Sequence, residues 1–369
     1  MQLSQLTSLR FFAAMSVLLF HLHKPFLRHC PSWLSGFLLS GYAAVSFFFI
    51  LSGFILTYVY SSPEKADPID RNPVLFWKSR VARIYPAFAL ALLIAFPPFL
   101  YSFTTSHMIS GADFSLGTLL VPLLLQSWWI PASGLWILPA WSLSVEAAFY
   151  FLFPLIRRRL FGVSLRTLAL MCALGLLLSS LVRFWIRVRF AIEGTRWEYL
   201  PDYFPLFFAP TFLFGVLIGR MTLERVLLRV AKAPGILILT VTATLVLLAD
   251  HQFLPNWARH DLILVPLFSL LILVTAAGSG LVVTILRNPG LVFLGESSYA
   301  LYILHLPLLF WWKKFFGASG RLALETVSGA SAFIIAVLLA SSLVYLWVER
   351  PAHRWLVEKW VKRVSKTAG

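Results

Sequence analysis

Residues 6–21 read LTSLRFFAAMSVLLFH, an apolar run that carries only two ionisable side chains, Arg10 and His21. Continued to residue 26, the run is long enough to cross a bilayer as a helix, which takes about 20 residues at 1.5 Å each. One basic residue precedes the apolar part and no small-residue cleavage site follows it. The stretch therefore predicts a retained membrane-spanning helix rather than a signal peptide.

The rest of the chain has the same character. Of its 369 residues, 59% are hydrophobic, 16% are aromatic and only 12% are charged. A soluble domain carries roughly a quarter charged residues, whereas lipid accepts apolar side chains on the protein's outside. Helices satisfy their backbone hydrogen bonds internally, as lipid requires. We therefore expect an all-α fold, a polytopic bundle of transmembrane helices.

Ten apolar segments are long enough to cross, and they predict a single integral membrane domain over residues 1–369. The segments lie near 6–26, 37–60, 83–103, 138–156, 166–188, 203–219, 234–250, 261–277, 291–312 and 326–348. A further apolar piece, 114–130, is interrupted by Gly117 and Pro122 and is predicted to be re-entrant or interfacial. Residues 350–369 are predicted to form a basic amphipathic tail on the cytoplasmic surface.

The basic residues indicate the orientation of the chain. With the N-terminus inside, 21 of the 31 lysines and arginines fall in cytoplasmic segments, as the positive-inside rule requires. Both termini are therefore predicted to be cytoplasmic, in a multi-pass protein of the bacterial cytoplasmic (inner) membrane that contacts membrane lipids. The net charge is +16, but the basic residues lie between apolar runs and not along one polar face, so no nucleic acid partner is expected. Cys30 and Cys172 imply neither a disulfide framework nor a metal site, and no permanently bound cofactor is expected.

Ionisable side chains within apolar spans cost about 2.5–3.5 kcal/mol each on insertion scales, so each is a candidate functional residue. Arg10 and His21 are eleven residues apart, close to three helical turns, which places them on one face about 16.5 Å apart. His21 is predicted to lie near the bilayer midplane and to act as a general base or as an acyl-accepting nucleophile. The alternative is a packed histidine that donates to a neighbouring carbonyl.

Glu146 lies in WSLSVEAAFYFLFP and is likewise eleven residues from an arginine, Arg157. It is therefore expected at the depth of His21, in a shared polar cavity where the carboxylate would orient the imidazole and stabilise its protonated form. The alternative is a carboxylate that hydrogen-bonds Ser142, Ser144 or another helix for packing.

Arg80 and Arg83 stand in FWKSRVARIYP, at the cytoplasmic mouth of the third predicted span. A spacing of three keeps their guanidinium groups adjacent on a helix, and such groups bind phosphate well. Coenzyme A carries phosphates on a soluble handle, so the pair is a candidate docking site for an acyl-coenzyme A donor, with Arg10 as a third candidate donor-binding residue. The alternative is ordinary anchoring by lipid headgroups.

The segment LGESSYALYILHLPLL places Glu296 near the inner interface and His305 deeper in the ninth predicted span. His305 is a second candidate proton-handling group, with a structural role as the alternative. Pro307 lacks a backbone donor and is expected to open the helix there.

Small and hydroxyl-bearing residues complete the candidate site. In SFFFILSGF, the small residues Ser46, Ser52 and Gly53 are predicted to serve close helix packing. Four residues are candidate supporting groups: Ser142, Ser144, Tyr150 and Tyr299.

Together these motifs resemble the acyltransferase 3 family of polytopic membrane enzymes, which O-acylate surface polysaccharides, lipopolysaccharide O-antigens, peptidoglycan, Nod factors and some macrolides. The resemblance is carried by LTSLRFFAAMSVLLFH, SFFFILSGFILT, FWKSRVARIYP, WSLSVEAAFYFLFP, GESSYALYILHLP and the closing VERP. The resemblance covers nearly the whole chain, and six motifs in this order make it specific.

The resemblance implies a cytoplasmic acyl-coenzyme A donor and an acceptor at or beyond the outer face. It matches Arg10 and His21 to the family's essential first-helix pair, Arg80 and Arg83 to its basic motif near the donor entrance, and Glu146 to a family glutamate. Some relatives carry a fused extracellular hydrolase-like domain, and this chain is expected to lack one. It is therefore expected to acylate its acceptor directly or to hand the group to a separate glycan-assembly protein.

The expected function is transfer of an acyl group, with acetyl expected and acetyl-coenzyme A as co-substrate, to a hydroxyl of a carbohydrate acceptor. That acceptor is expected in an exported or surface polysaccharide or its lipid-linked precursor. The sequence leaves open which position is acylated and whether His21 acts directly or through an acyl-histidine. The alternative is a proton-coupled transporter or flippase of a lipid-linked sugar, in which His21 and Glu146 relay protons.

Overall fold

The computed structural model describes residues 3–27, 30–60, 72–190, 192–226, 231, 233, 235–249, 262–317 and 322–367. Within these ranges every regular element is a helix, which confirms the all-α class. Residues 234, 250 and 261, at the ends of two predicted spans, and residues 368–369 of the predicted tail lie outside the described residues.

Each of the ten predicted spans overlaps at least one helix. In chain order the helices are α1 Ser4–His21, α2 His23–Leu27, α3 Ser32–Leu39, α4 Ala44–Tyr60, α5 Pro73–Thr104, α6 Gly111–Leu120, α7 Ala140–Gly162, α8 Leu165–Phe190, α9 Leu200–Tyr203, α10 Ala209–Leu223, α11 Ile236–Ala249, α12 Val265–Ala277, α13 Leu281–Leu286, α14 Pro289–Glu296, α15 Ser298–Phe316, α16 Val327–Val344 and α17 Arg350–Thr367. A π-helix, Tyr345–Glu349, joins α16 to α17.

Several of these helices are suited to cross a membrane. Among the described residues, five helical stretches are long and apolar enough, and six are when the bent pair of α14 and α15 counts as one span. The five are Ser32–Tyr60, Pro73–Thr104, Leu165–Phe190, Pro205–Leu223 and Val327–Trp360. Shorter apolar helices lie at α11 and α12. The chain is therefore a multi-pass helical membrane protein.

The first helix ends at His21, five residues before the predicted end of the first span. The Leu22 N–H bonds back to the carbonyls of Leu18 and Leu19, which closes the last turn. Pro25 has no N–H with which to extend the hydrogen-bond ladder to the His21 carbonyl, and this explains the break. His21 therefore lies at the C-terminal end of α1, and the prediction that this helix continues to residue 26 was wrong.

The break in the GESSYALYILHLP segment is at Ser297, where α14 and α15 meet at 55°. The Ser297 hydroxyl donates to the Leu294 carbonyl at 3.0 Å, a local bond that competes with the helical ladder. Helix α15 continues through Pro307 without interruption. The prediction of an opening at Pro307 was therefore wrong.

Glycines allow the closest helix crossings. Helix α4 packs along α10, where Gly53 meets Gly215. A methyl group at Gly215 would overlap the Ile50 carbonyl oxygen, and one at Gly53 would overlap the Phe212 carbonyl oxygen. The predicted packing role of Gly53 is therefore confirmed.

The two segments predicted to lie outside the spans are short or peripheral helices. Helix α6 has ten residues, too few to cross a bilayer, and 3₁₀ turns follow it to Ala132. Helix α17 packs against α5, and the Lys78 ammonium lies 5.9 Å from the centroid of the Trp360 ring. The tail thus lies beside the end of α5 that carries Arg80 and Arg83.

Candidate active site

Two adjoining cavities lie between the helices. We call the first, of about 200 Å³, the arginine cavity because Arg10, Arg80 and Arg83 line it. We call the second, of about 420 Å³, the histidine cavity because His21 lines it. Val45 and Tyr302 line both cavities. These two side chains therefore form a wall that the two cavities share.

The arginine cavity gathers guanidinium groups from two helices. Arg80 on α5 donates from Nη2 to the Tyr60 hydroxyl at 3.0 Å, and its guanidinium lies 5.5 Å from the centroid of the Tyr60 ring. Arg83, one turn further on, places Nη1 3.1 Å from the Glu349 carboxylate. Arg10 reaches the same cavity from α1. The expected adjacency of Arg80 and Arg83 is present, and a third arginine joins them.

Glu349 is a charged residue of the site that the sequence analysis did not single out. Its side chain is 0% exposed and comes from the π-helix that precedes α17. Neither of its carboxylate oxygens accepts an aligned hydrogen bond from the described residues, so the attraction to Arg83, and to Arg10 nearby, is Coulombic. The available signal was an acidic residue at the end of an apolar span, in the VERP motif.

Glu146 faces the arginine cavity and not His21. The Tyr150 hydroxyl, one turn further along α7, donates to Glu146 Oε1 at 2.5 Å. The expected pairing with His21 is not found, because Tyr302 and Val45 lie where the two cavities meet. The rise of a helix fixes the depth of a residue, whereas its rotation about the axis decides which cavity it enters.

The two serines proposed as partners of Glu146 bind elsewhere. The Ser142 hydroxyl donates to the Pro139 carbonyl at 2.9 Å and lies 2.7 Å from the Tyr302 hydroxyl. The Ser144 hydroxyl donates to the Leu124 carbonyl at 2.7 Å, which ties α7 to the turns after α6. Ser142 thus holds the tyrosine at the junction of the cavities, whereas Ser144 is a packing residue.

The remaining supporting tyrosine lies in the wall of the arginine cavity. The Tyr299 hydroxyl donates to the Ile84 carbonyl at 2.9 Å and so joins α15 to α5. Tyr150 and Tyr299 therefore both line the cavity that holds the arginines, as does Ser142.

His21 is paired with His305. The Nδ1 atom of His21 lies 2.9 Å from the Val17 carbonyl oxygen, and the Nδ1 atom of His305 lies 2.6 Å from the Tyr302 carbonyl oxygen. Because a carbonyl only accepts, each neutral ring carries its proton on Nδ1. His305 Nε2 then accepts from His21 Nδ1 at 3.3 Å, as a second acceptor for the same proton. This assignment leaves His21 Nε2 with its lone pair.

His305 is buried and contacts His21 from outside the two cavities. Its side chain is 1% exposed and lines neither cavity, whereas His21 is only partly buried and lines the histidine cavity. Both of its ring nitrogens are engaged, one by Tyr302 and the other by His21. His305 can therefore orient His21 but does not face the space that a ligand would enter.

The arrangement is suited to proton transfer beside an anion-binding pocket. An imidazole with a free Nε2 lone pair can accept a proton from a hydroxyl, and three guanidinium groups can bind phosphate or a developing oxyanion. No group of three or more histidine, cysteine, aspartate or glutamate side chains that could hold a metal ion occurs in the described part of the chain. The fold and the cavities define a multi-pass membrane protein with a histidine pair between its helices.

Comparison with known proteins identifies the family. A family model described as an acyltransferase domain, that of acyltransferase 3, matches residues 3–346. The chain therefore belongs to the acyltransferase 3 family.

Named relatives align with most of the chain. It is 28% identical to the acyltransferase MdmB of Streptomyces mycarofaciens over 374 residues, which cover 96% of this chain and 92% of that protein. It is 25% identical to the O-acetyltransferase OatA of Staphylococcus aureus over 378 residues, 95% of this chain and 57% of OatA. The chain thus spans a little over half the length of OatA. No solved structure matches this chain.

Proposed function

We propose that this O-acyltransferase moves an acyl group, with acetyl expected, from cytoplasmic acyl-coenzyme A to a sugar hydroxyl in an exported or surface polysaccharide or its lipid-linked precursor. The observation that carries the proposal is the histidine pair, in which His21 Nδ1 is engaged by Val17 and His305 while Nε2 keeps its lone pair. Such an imidazole is suited to take a proton from a hydroxyl near neutral pH. The family membership and the names of MdmB and OatA favour acyl transfer over proton-coupled transport.

The donor would use the arginine cavity. Its volume of about 200 Å³ is below the ~300–1,000 Å³ of pockets that enclose a whole cofactor-sized ligand. It would therefore receive the thioester end of the donor, while Arg80 and Arg83 bind phosphates at the mouth. Arg10 supplies a third cation in the same wall. Acyl-coenzyme A is in this proposal a co-substrate and not a resident cofactor.

Transfer would take place where the cavities meet at Val45 and Tyr302. In the direct route, His21 Nε2 takes the proton of the sugar hydroxyl while its oxygen attacks the thioester carbonyl carbon. The carbon–sulfur bond breaks, and the imidazolium returns the proton to the coenzyme A thiolate, so that an ester and a free thiol are formed. In the second route, Nε2 attacks the thioester carbonyl carbon and the carbon–sulfur bond breaks, which leaves an acyl-imidazolium and the coenzyme A thiolate. The sugar oxygen then displaces the imidazole from the acyl group, and the hydroxyl proton goes to the thiolate, so that the same ester and thiol are formed. His305 Nε2, as acceptor of the Nδ1 proton, stabilises the positively charged ring in both routes.

The reaction requires access from both sides of the membrane. We propose ten crossings with both termini in the cytoplasm, in the inner membrane of a bacterium, because each of the ten apolar segments overlaps a helix and most basic residues lie in the segments assigned inside. Separate glycan-assembly proteins would then supply or receive the carbohydrate, with no part for nucleic acid. The arginine cavity would open toward the inside and the histidine cavity toward the outside.

Substitution of His21 tests this proposal. With radiolabelled acetyl-coenzyme A and membranes that contain the host's surface glycan, we expect His21→Ala to lower label transfer by roughly 10²–10⁴-fold, the usual contribution of a general base. His23→Ala is the matched control, because His23 bonds the Phe20 carbonyl and lines neither cavity. Full label transfer by an inserted His21→Ala variant would refute the proposal, and proton-driven sugar uptake without label would favour transport.

A further inference from the structure

One wall of the histidine cavity is aromatic. Trp141 stacks on Tyr203 with 4.5 Å between ring centroids and 18° between planes, and Tyr203 stacks on Tyr199 at 5.0 Å and 7°. All three rings line the cavity. Tyr199, at the end of this stack, is 47% exposed. A ligand in the cavity would therefore meet rigid rings that carry polar hydroxyls and a partial negative charge on their faces.

A charged pair lies beside the rings. Arg187 on α8 donates from Nη2 to Asp202 Oδ1 at 2.5 Å, and both residues line the cavity. Their side chains are 40% and 44% exposed, so each retains accessible donor or acceptor atoms. A carboxylate accepts from hydroxyls, and a guanidinium donates to them. The pair can thus hold neighbouring hydroxyl groups of one ligand.

The combination fits a sugar ring. A pyranose presents hydroxyl groups around its edge and weakly positive C–H groups on its face, which complement a carboxylate–guanidinium pair and an aromatic wall respectively. The volume of about 420 Å³ lies within the ~300–1,000 Å³ typical of pockets for small ligands. The Asp202 carboxylate neutralises Arg187 in this wall, and Arg183 lines the same cavity, so a lipid phosphate is the competing occupant that the test must distinguish from a sugar.

We propose that the histidine cavity is a carbohydrate subsite, in which Tyr199 contacts the sugar ring and Asp202 with Arg187 binds its hydroxyls. His21 lines the same cavity, so one further hydroxyl of the bound sugar can reach its Nε2. The role of the bound sugar as the acyl acceptor rests on the proposed function. Binding itself requires no acyl donor and no catalysis.

Saturation-transfer-difference NMR tests the subsite directly. The full-length protein in lipid nanodiscs is mixed with the methyl pyranosides of glucose, galactose, mannose, rhamnose and N-acetylglucosamine. We expect ring-proton signals from at least one glycoside with the wild type. Tyr199→Ala and Asp202→Asn should each weaken its affinity roughly tenfold or more, the usual effect of losing a hydrogen bond to a charged group or an aromatic contact. Tyr199→Phe, which keeps the ring, should change it by less.

Control measurements distinguish failure of the carbohydrate subsite from failure of the proposed acyl transfer. Phe103→Ala removes another stacked ring, which lies 4.4 Å from Phe114 and lines neither cavity, so binding should persist. A wild type that binds the sugar yet transfers no acetyl would contradict the proposed function alone. Absence of signal for every glycoside, unchanged affinity in both Tyr199→Ala and Asp202→Asn, or displacement of the sugar by glycerol 3-phosphate would overturn the subsite.

Discussion

At the scale of single residues, the most consequential contact is the one between Glu349 and Arg83. The carboxylate is fully buried, whereas the guanidinium is 32% exposed and lines the arginine cavity. A buried charge is tolerated only beside an opposite charge, so the position of Arg83 is bound to that of Glu349. Glu349 thereby acts on the cavity through Arg83 and is a positioning residue.

Neutralising this carboxylate should weaken donor binding. Glu349→Gln keeps the shape of the side chain but removes the charge that holds Arg83, and we expect the KM for acetyl-coenzyme A to rise roughly tenfold, about 1.4 kcal/mol, with a smaller change in kcat. Steady-state kinetics with purified protein measures the two constants. Glu349→Asp, which retains the charge, should recover part of the affinity.

The control is another arginine–glutamate pair. Arg220 donates to Glu224 at 2.7 Å, and neither residue lines the arginine cavity or the histidine cavity. Glu224→Gln should therefore leave the KM for acetyl-coenzyme A unchanged. Equal effects of Glu349→Gln and Glu224→Gln on KM would show that Glu349 has no particular role in positioning Arg83.

The identities of the polar residues could be predicted from the sequence, but their pairing could not. Arg10 and Glu146 were singled out because charges are costly in apolar spans, and Arg80 and Arg83 because of their spacing; all four line one cavity. The partner of His21 was expected to be Glu146 and is His305 instead. Sequence spacing gives the position of a residue along its own helix, whereas its partner depends on the rotation of two helices about their axes.

At the scale of helices, the crossing of α4 and α10 depends on the absence of side chains. A Cβ at Gly215 would overlap the Ile50 carbonyl and lie 2.8 Å from the Phe54 nitrogen, and both atoms belong to the helix backbone, which cannot rotate away. Val45 lies near the start of α4 and lines both cavities. Separation of the two helices would therefore also disturb the junction between the cavities.

We expect Gly215→Ala to destabilise the fold by about 1–3 kcal/mol or more, the usual effect of overpacking. The unfolding temperature of the purified protein, followed by tryptophan fluorescence in detergent, should fall by several degrees. Gly162→Ala is the matched control, because no atom lies within 4 Å of the added methyl group. If the two variants unfold at the same temperature, the close approach of α4 and α10 contributes nothing to stability.

The helices themselves were the most predictable feature, since runs of apolar residues are bounded by charges and by loop residues. Their interruptions were less so. The break after His21 follows from Pro25, a signal present in the sequence, whereas Pro307 lies within an unbroken helix. A proline ends a helix only where neighbouring structure does not compensate for its missing hydrogen bond, and that compensation depends on tertiary packing.

At the scale of the whole molecule, the proposed reaction depends on where the two cavities open. The donor is expected to be cytoplasmic and the acceptor to be outside, so the ends of each spanning helix must lie on opposite sides. Helix α8 has 26 residues and is about 39 Å long, which exceeds the ~30 Å hydrocarbon core of a bilayer. Ser164 and Glu193 lie just beyond its two ends, and Arg354 lies in the tail.

Single cysteines at these three positions report the topology. With Cys30 and Cys172 replaced by serine, a membrane-impermeant maleimide applied to intact spheroplasts should label Glu193→Cys at once, and should label Ser164→Cys and Arg354→Cys only after lysis. In the ten-span arrangement, an even number of crossings separates Ser164 from the tail, so both lie on the same side of the membrane. A single crossing separates Ser164 from Glu193, so these two lie on opposite sides. Labelling of Arg354→Cys in intact spheroplasts would require an odd number of crossings and would contradict the ten-span arrangement. Labelling of Ser164→Cys there, with Glu193→Cys protected, would invert the orientation and place the arginine cavity on the side that lacks acyl-coenzyme A.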